Sequence, residues 1–258
     1  MYRTGVTIAV PNWNHELLLP RALSSALAAL AALRDEGGDG EVLVIDDQSR
    51  DGSVTLLRQL EALHFGDGLR VLLREKNGGI SSARNTALAA ARYRHIVFLD
   101  ADNELIPENT PCLWRSLCAT GAAAAYGTLI MRTVSATDGF HVLSNESFQD
   151  TMYDGPYVDA LAMFDCGQLA DLGGYSTAFA SSADFEQWLH LASNGRQILF
   201  VPVVFAFYYL LPMSMNSDIC KAVQENERIY RLFNQLKARK HLETATRHLR
   251  YHPALGYL

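Results

Sequence analysis

Four apolar residues, Ile96-Val97-Phe98-Leu99, run without a break into Asp100-Ala101-Asp102. A continuous apolar run, mostly β-branched or aromatic, predicts a strand buried on both faces, as in the middle of a parallel sheet. The carboxylates then stand just past its carboxyl end, the edge at which open α/β sheets bind ligands. Two acids so close together and so near the interior repel each other and lose hydration. A hard divalent cation with oxygen ligands is the usual compensation. The competing reading is an acidic turn, with Asp102 or Asn103 capping the next segment.

The flanking chain repeats the theme. Val6 to Val10 predicts a first strand, stopped by Pro11 and followed by the turn-rich Pro11-Asn12-Trp13-Asn14-His15. Glu16 to Arg34 is apolar at helical spacing, with Pro20 in its first turn and glycines at its end. Val42 to Ile45 predicts a second strand that also runs into acids, Asp46 and Asp47. A helix from about Gly52 to Phe65, with Ser49 and Asp51 as possible caps, precedes a strand at Leu69 to Leu73. Asn77-Gly78-Gly79 reads as a turn, and Ser81 as the cap of a helix reaching about Tyr93. Strands alternating with helices over short connections predict a parallel sheet wrapped in helices.

Beyond Asp102 the rhythm changes. Helices are expected over Pro107 to Thr120, Val158 to Leu172 and Ser181 to Asn194. Extended segments are expected over Ala122 to Arg132 and Gln197 to Leu211. The polar stretch Ser135 to Pro156 carries no assignment, and Asp218 to about His248 reads as a long charged helix.

With 258 residues, 49% apolar and 19% charged, the chain suits one large soluble domain with at most a small appendage. Its longest apolar run, Ile198 to Leu211, is broken by Pro202 and is shorter than a membrane span. Nothing at the start resembles a secretory leader. The four cysteines show neither metal-ligand spacing nor a disulfide framework, so a reducing cytosol is the expected setting. The net charge of −6 argues against general nucleic-acid binding. From Asp218 onward eight Lys/Arg face four Asp/Glu, so a basic tail follows an acidic body.

Several positions could carry chemistry. Asp46 and Asp47 sit where an acid commonly accepts hydrogen bonds from a nucleotide's ribose or base, or simply serve a turn and helix cap. Asn77 to Asn85 joins glycines, which let backbone approach a ligand, to a helix N-terminus, which attracts anions. Arg84, in the first turn, opposes the helix dipole. It implies a bound anion or a nearby carboxylate such as Asp46 or Asp100, unless it is an ordinary surface arginine. Asp184 has two readings. With Ser181 it fits a capping box; alternatively it is a general base near an attacking hydroxyl. The eight histidines are scattered and form no helical metal pair.

Together these pieces resemble the family 2 glycosyltransferases, which have the GT-A fold. The landmarks fall in the family's order: Pro11-Asn12-Trp13-Asn14, Asp46-Asp47-Gln48-Ser49, Asn77-Gly78-Gly79-Ile80-Ser81-Ser82-Ala83-Arg84-Asn85, Phe98-Leu99-Asp100-Ala101-Asp102, and Gly173-Gly174-Tyr175 followed by Asp184-Phe185-Glu186-Gln187-Trp188. The resemblance implies an α/β, Rossmann-like fold: a mostly parallel central sheet flanked by helices, with a C-terminal helical extension. Residues 1–216 would be the glycosyltransferase domain, split into a nucleotide-binding half of about 1–102 and an acceptor-side half of about 103–216. The basic extension would be 217–258.

By the same resemblance, Pro11, Asn12, Trp13, Asn14, Asp46, Asp47, Asn77, Gly79, Arg84, Asp100, Ala101 and Asp102 would bind the nucleotide-sugar. UDP is the expected nucleotide. Asp100 and Asp102 would form an Asp-x-Asp site, with Asp102 on Mn2+ or Mg2+ against the diphosphate. Asp184 would deprotonate the acceptor hydroxyl, and transfer would invert the sugar carbon. The acceptor would be a glycan or lipid-linked intermediate of polysaccharide biosynthesis. Three departures stand out. Gln48 replaces a usual glycine, and Ala183 replaces a usual acid before Asp184. No arginine follows Tyr208-Tyr209 before Pro212-Met213-Ser214-Met215.

The last two departures also allow a degenerate fold that binds a nucleotide-sugar or serves assembly without transfer. An aspartyl phosphatase would want threonine or valine where Glu104 stands, and a nucleotidyltransferase would want a glycine-rich basic loop at Pro11-Asn12-Trp13-Asn14. The basic tail allows peripheral contact with the inner face of an anionic membrane. It equally allows packing on the body or on a second subunit, as in a homodimer.

Overall fold

The computed structural model describes residues 2–133, 141–148, 156–179, 181–211, 223–233, 251–252 and 256–257. Four strands, β1 (Arg3–Asn12), β2 (Gly40–Asp46), β3 (Leu69–Leu73) and β4 (Tyr93–Phe98), lie in the order β3-β2-β1-β4 and are all parallel. Their side chains alternate across the sheet. Val6, Ile8, Val10, Val42 and Val44 face one core; Ala9, Leu43, Ile45 and Phe98 face the other. Burial on both faces is why these strands read as unbroken apolar runs.

Helix α1 (Leu19–Asp35) covers the first face through Leu19, Ala22, Leu23, Ala26, Ala29, Leu30 and Leu33. Pro20 sits in its first turn, and Gly37, at φ 79°, ends it as Gly38 N–H returns to the Leu33 carbonyl. Helix α2 (Ser53–Leu63) follows β2, and α3 (Gly79–Ala90) follows β3. Register pairs Asn12 with Asp46 and Asp46 with Leu73, so the carboxyl ends of β1, β2 and β3 finish level.

Next come β5 (Glu104–Leu105), a 3-10 turn at Pro107–Asn109, α4 (Thr110–Thr120), β6 (Ala124–Thr133) and β7 (His141–Leu143). They are followed by β8 (Met163–Asp165), α5 (Cys166–Asp171), α6 (Ala183–Ser193) and β9 (Ile198–Leu210). The sheet continues from β4 through β8, β6, β9 and β5, with β7 beside β6. Strand β9 is parallel to β6, and the other pairings of this half are antiparallel. Residues 251–252 and 256–257 form a separate antiparallel pair.

The helix expected over Val158 to Leu172 is largely absent. Leu161 and Met163 face one core while Ala162 and Phe164 face the other, the alternation of a doubly buried strand. A short apolar run does not distinguish that from a buried helix, and the free edge of β4 decided it. The helix starts only at Cys166, where Asp165 Oδ1 accepts the Gln168 N–H at 3.0 Å. Ser81, expected as a cap, lies inside α3.

Residues 223–233 form a final helix, α7, which packs on α6. Ile229 and Phe233 enter the second core, and the Tyr230 ring lies 5.5 Å from Phe185. The rest of the expected tail helix, 218–222 and 234–248, lies outside the described residues, as does most of Ser135 to Pro156. Among the described residues no helix is long and apolar enough to cross a membrane.

Candidate active site

The carboxyl ends of β1, β2 and β4 and the start of α3 bring together the polar residues singled out above. Asp46, at the tip of β2, is buried and fully engaged. It accepts Asn12 Nδ2 at 2.7 Å, Ser49 N–H at 2.9 Å and Ser49 Oγ–H at 2.6 Å. Asn12 and Asp46 therefore lock the β1 and β2 loops together. Asn14, at φ 58°, accepts the Arg50 N–H at 2.7 Å, and Trp13 projects from the same loop half-exposed.

Asp47 occupies the N-terminus of α3. Its carboxylate accepts the N–H groups of Gly78 and Gly79, the latter at 2.7 Å, and pairs with Arg74. The anion that this helix end attracts is thus supplied by the chain itself. Asn77 Nδ2 closes the loop on the Asp47 carbonyl at 2.9 Å. Gln48 stands at φ 64°, a conformation that favours glycine. Its side chain offsets part of the cost by accepting Asn77 N–H at 3.2 Å and donating to the Glu75 carbonyl at 3.0 Å.

Arg84 is the cation of the site. It is only 5% exposed, its Nη2 lies 3.0 Å from Asp100 Oδ1, and its Cζ lies 5.2 Å from the centroid of the Tyr175 ring. Burial opposes its charge, but Asp100, Tyr175 and Asp184 outweigh burial and hold the guanidinium more firmly protonated. The sequence's two alternatives, Asp46 and Asp100, resolve to Asp100. Asn85 fixes Tyr175 from α3, accepting its N–H and donating to its carbonyl, both at 2.8 Å. Gly174 makes this possible, since a Cβ there would fall 2.5 Å from Asn85 Oδ1.

Ala101 is buried between the two acids of its motif. Burial, then the charge of Asp100, pushes the Asp102 carboxyl up to about 6. Arg21 of α1 lies close but donates to the Asp102 carbonyl, 2.6 Å from Nη2, and stacks 3.7 Å from the Tyr209 ring centroid. A cation therefore stands beside Tyr209 although no arginine follows it in sequence. Local reading had no signal for Arg21, because α1 meets β9 only through the fold.

Among the described residues no group of three His, Cys, Asp or Glu could hold a metal alone. The donor set still suits a hard divalent cation whose other ligands are diphosphate and water oxygens. Asp102 is a half-buried, partly desolvated carboxylate beside another anion, and Arg84 already serves Asp100.

Asp184 stands in the first turn of α6, half-buried. Its carboxyl is raised by burial, partly countered by Arg84. The capping box does not form: Ser182 is the N-cap and makes no side-chain cap bond. Glu225 of α7 takes that role, accepting the N–H groups of Ser181 at 2.7 Å and Ser182 at 3.0 Å. Asp184 instead lines a cavity of about 250 Å³ together with Asp159, Tyr157, Phe185 and Asn226. Asp159, which the sequence reading missed, is pushed up to about 7 by burial, then by Asp184 and Asp100.

The family described as glycosyl transferase family 2 matches residues 7–169. The putative teichuronic acid biosynthesis glycosyltransferase TuaG of Bacillus subtilis is 24% identical over 76% of this chain and 77% of its own length. An Escherichia coli relative is named UDP-Glc:alpha-D-GlcNAc-diphosphoundecaprenol beta-1,3-glucosyltransferase WfgD. It is 25% identical over 85% of this chain and 82% of its own length. Several other curated relatives are matched over only about a third of their length. Among solved structures, the mannosyltransferase PcManGT of Pyrobaculum calidifontis, in complex with GDP-Man and Mn2+, superposes with a TM-score of 0.66 at 21% identity. That match covers 87% of this chain and 62% of that one, and the likeness is one of fold.

Proposed function

The chain belongs to glycosyl transferase family 2, and on that premise we propose that it transfers a sugar from a nucleotide-sugar to an acceptor hydroxyl, with inversion. The observation that carries this reading is the convergence of Asp100, Asp102, Arg84 and Asp184 at the carboxyl edge of the sheet. The donor lies across the ends of β1, β2 and β4, with Trp13 and the Asn77–Gly79 turn beside its nucleotide. UDP is the favoured nucleotide, as in the name of the WfgD relative. The acceptor is a glycan or lipid-linked intermediate, the class named in that same relative.

Asp102, with Asp100, would hold Mn2+ or Mg2+, which neutralises charge on a diphosphate leaving group. The solved mannosyltransferase, a neighbour in fold, is a complex with Mn2+, which favours a divalent metal here without bearing on which residues hold it. Asp184 takes the proton of the acceptor hydroxyl. The freed oxygen attacks the anomeric carbon, and the bond from that carbon to the diphosphate oxygen breaks with its electron pair on the nucleotide. Arg84, buried and firmly charged, orients Asp100 and offsets negative charge near the leaving group. A raised carboxyl makes Asp184 a stronger base, provided the pH keeps it ionised.

The test is calorimetric titration with UDP-glucose, UDP-N-acetylglucosamine and GDP-mannose, with and without Mn2+. Manganese-dependent binding that is lost in Asp102→Ala supports the proposal. Binding that ignores both metal and substitution removes the metal assignment, and no binding to any donor removes the transferase reading.

A further inference from the structure

Building on the transfer reading, we propose that Asp159 is a second acceptor-binding carboxylate. It holds the hydroxyl adjacent to the one Asp184 activates, so the acceptor presents a vicinal diol of a sugar ring to the cavity between the 156–159 segment, α6 and α7. Both carboxylates line that cavity, with Tyr157 and Phe185 as walls and Asn226 of α7 on its rim.

Asp159 is rigidly placed. Its N–H donates to Ser144 Oγ at 3.1 Å, its carbonyl accepts Trp188 Nε1–H at 3.2 Å, and its Oδ1 accepts the Leu161 N–H at 2.8 Å. An asparagine would make each of these bonds without carrying a charge. The turn therefore does not account for a half-buried carboxylate close enough to Asp184 and Asp100 for their charges to act on it. Arg84 acts on both Asp159 and Asp184, and it is already paired with Asp100. Hydroxyl donors would relieve this arrangement, because each hydrogen bond to a buried carboxylate offsets its lost hydration.

A second, independent feature points the same way. Asn226, which lines the cavity, has its Oδ1 buried without a hydrogen-bond partner among the described residues. Two carboxylates and an amide suit a ring with neighbouring hydroxyls. The apolar walls suit its C–H face.

The test uses the full chain and methyl glucopyranoside, methyl galactopyranoside, methyl mannopyranoside and their singly deoxygenated forms as probes. The Trp188 indole N–H resonance, one of only three tryptophan signals, reports on Asp159 directly. At least one methyl glycoside should shift that resonance, and removal of one of two neighbouring hydroxyls should weaken its binding. Asp159→Asn keeps the local turn. It should weaken the intact glycoside about ten- to a hundredfold while leaving UDP-sugar binding unchanged, and should erase the preference over the deoxy form. Equal binding by Asp159→Asn, or no binding of any glycoside to the native chain, overturns the proposal. Glycoside binding without donor binding would instead sink the transferase reading and leave the diol site standing.

Discussion

The two halves of the sheet treat their acids differently. In the parallel half, β3-β2-β1-β4, three acids at the strand ends have their own partners: Asp46 has Asn12 and Ser49, Asp47 has Arg74 and two glycine N–H groups, and Asp100 has Arg84, while Asp102, pushed up to about 6 by burial and then by Asp100, is the exception. In the mixed half, Asp159, Asp184 and Glu186 are desolvated and all raised, with Arg84 partly countering the rise of the first two. The first arrangement builds a rigid frame whose charges are settled before substrate arrives. The second keeps carboxylates short of donors, which suits groups that accept a proton or hydroxyl during turnover.

The largest effect that tests this contrast is on rate. Asp184→Asn should cut sugar transfer by about 10²- to 10⁴-fold with donor binding unchanged in calorimetry. In the native enzyme the rate should fall as pH drops, with its acid limb above the ordinary aspartate value of about 3.9, because burial raises the folded carboxyl. A limb at the ordinary value, or full activity in the variant, would break the contrast.

A smaller effect tests Arg84, whose charge acts on acids of both halves. Arg84→Ala removes the partner of Asp100 and the cation that restrains Asp184. It should cost about 3 kcal/mol of stability in urea denaturation and shift the acid limb of any residual activity to higher pH. If stability fell and the limb stayed put, Arg84 would belong to the frame alone.

The smallest concerns Glu186, buried with its Oε2 unpartnered among the described residues and pushed up to about 7 by burial. A carboxyl raised in the folded state makes stability fall as pH rises from its unfolded value of about 4.3 through about 7. Glu186→Gln should therefore raise Tm by roughly 2–4 °C at pH 8 relative to the native chain, with the advantage fading toward pH 4. An advantage independent of pH would mean that the gain is packing and that Glu186 does not belong with the uncompensated acids.

Local patterns made the frame legible. The apolar runs at Val6, Val42 and Ile96 predicted strands, all three buried on both faces in the structure, and the acids ending the last two pointed to the carboxyl edge of the sheet. Arg84, expected in the first turn of α3 but lying in its second because the helix starts at Gly79, still announced a carboxylate partner. The run around Leu161 misled because, at that length, burial on both faces looks the same for strand and helix.

What the chain determined by itself is therefore the parallel half, its family and the short-range motifs at its carboxyl edge, because each depends on residues within one strand, turn or helix start. Tertiary structure alone decided the rest. It put Arg21 beside Tyr209, let Glu225 of α7 cap α6 in place of Ser181 and Asp184, and set Asp159 against Asp184 around one cavity. Each of these joins residues at least 25 positions apart in the chain, up to 188 for Arg21 and Tyr209. Such contacts arise from how helices and strands pack, and no local periodicity encodes them.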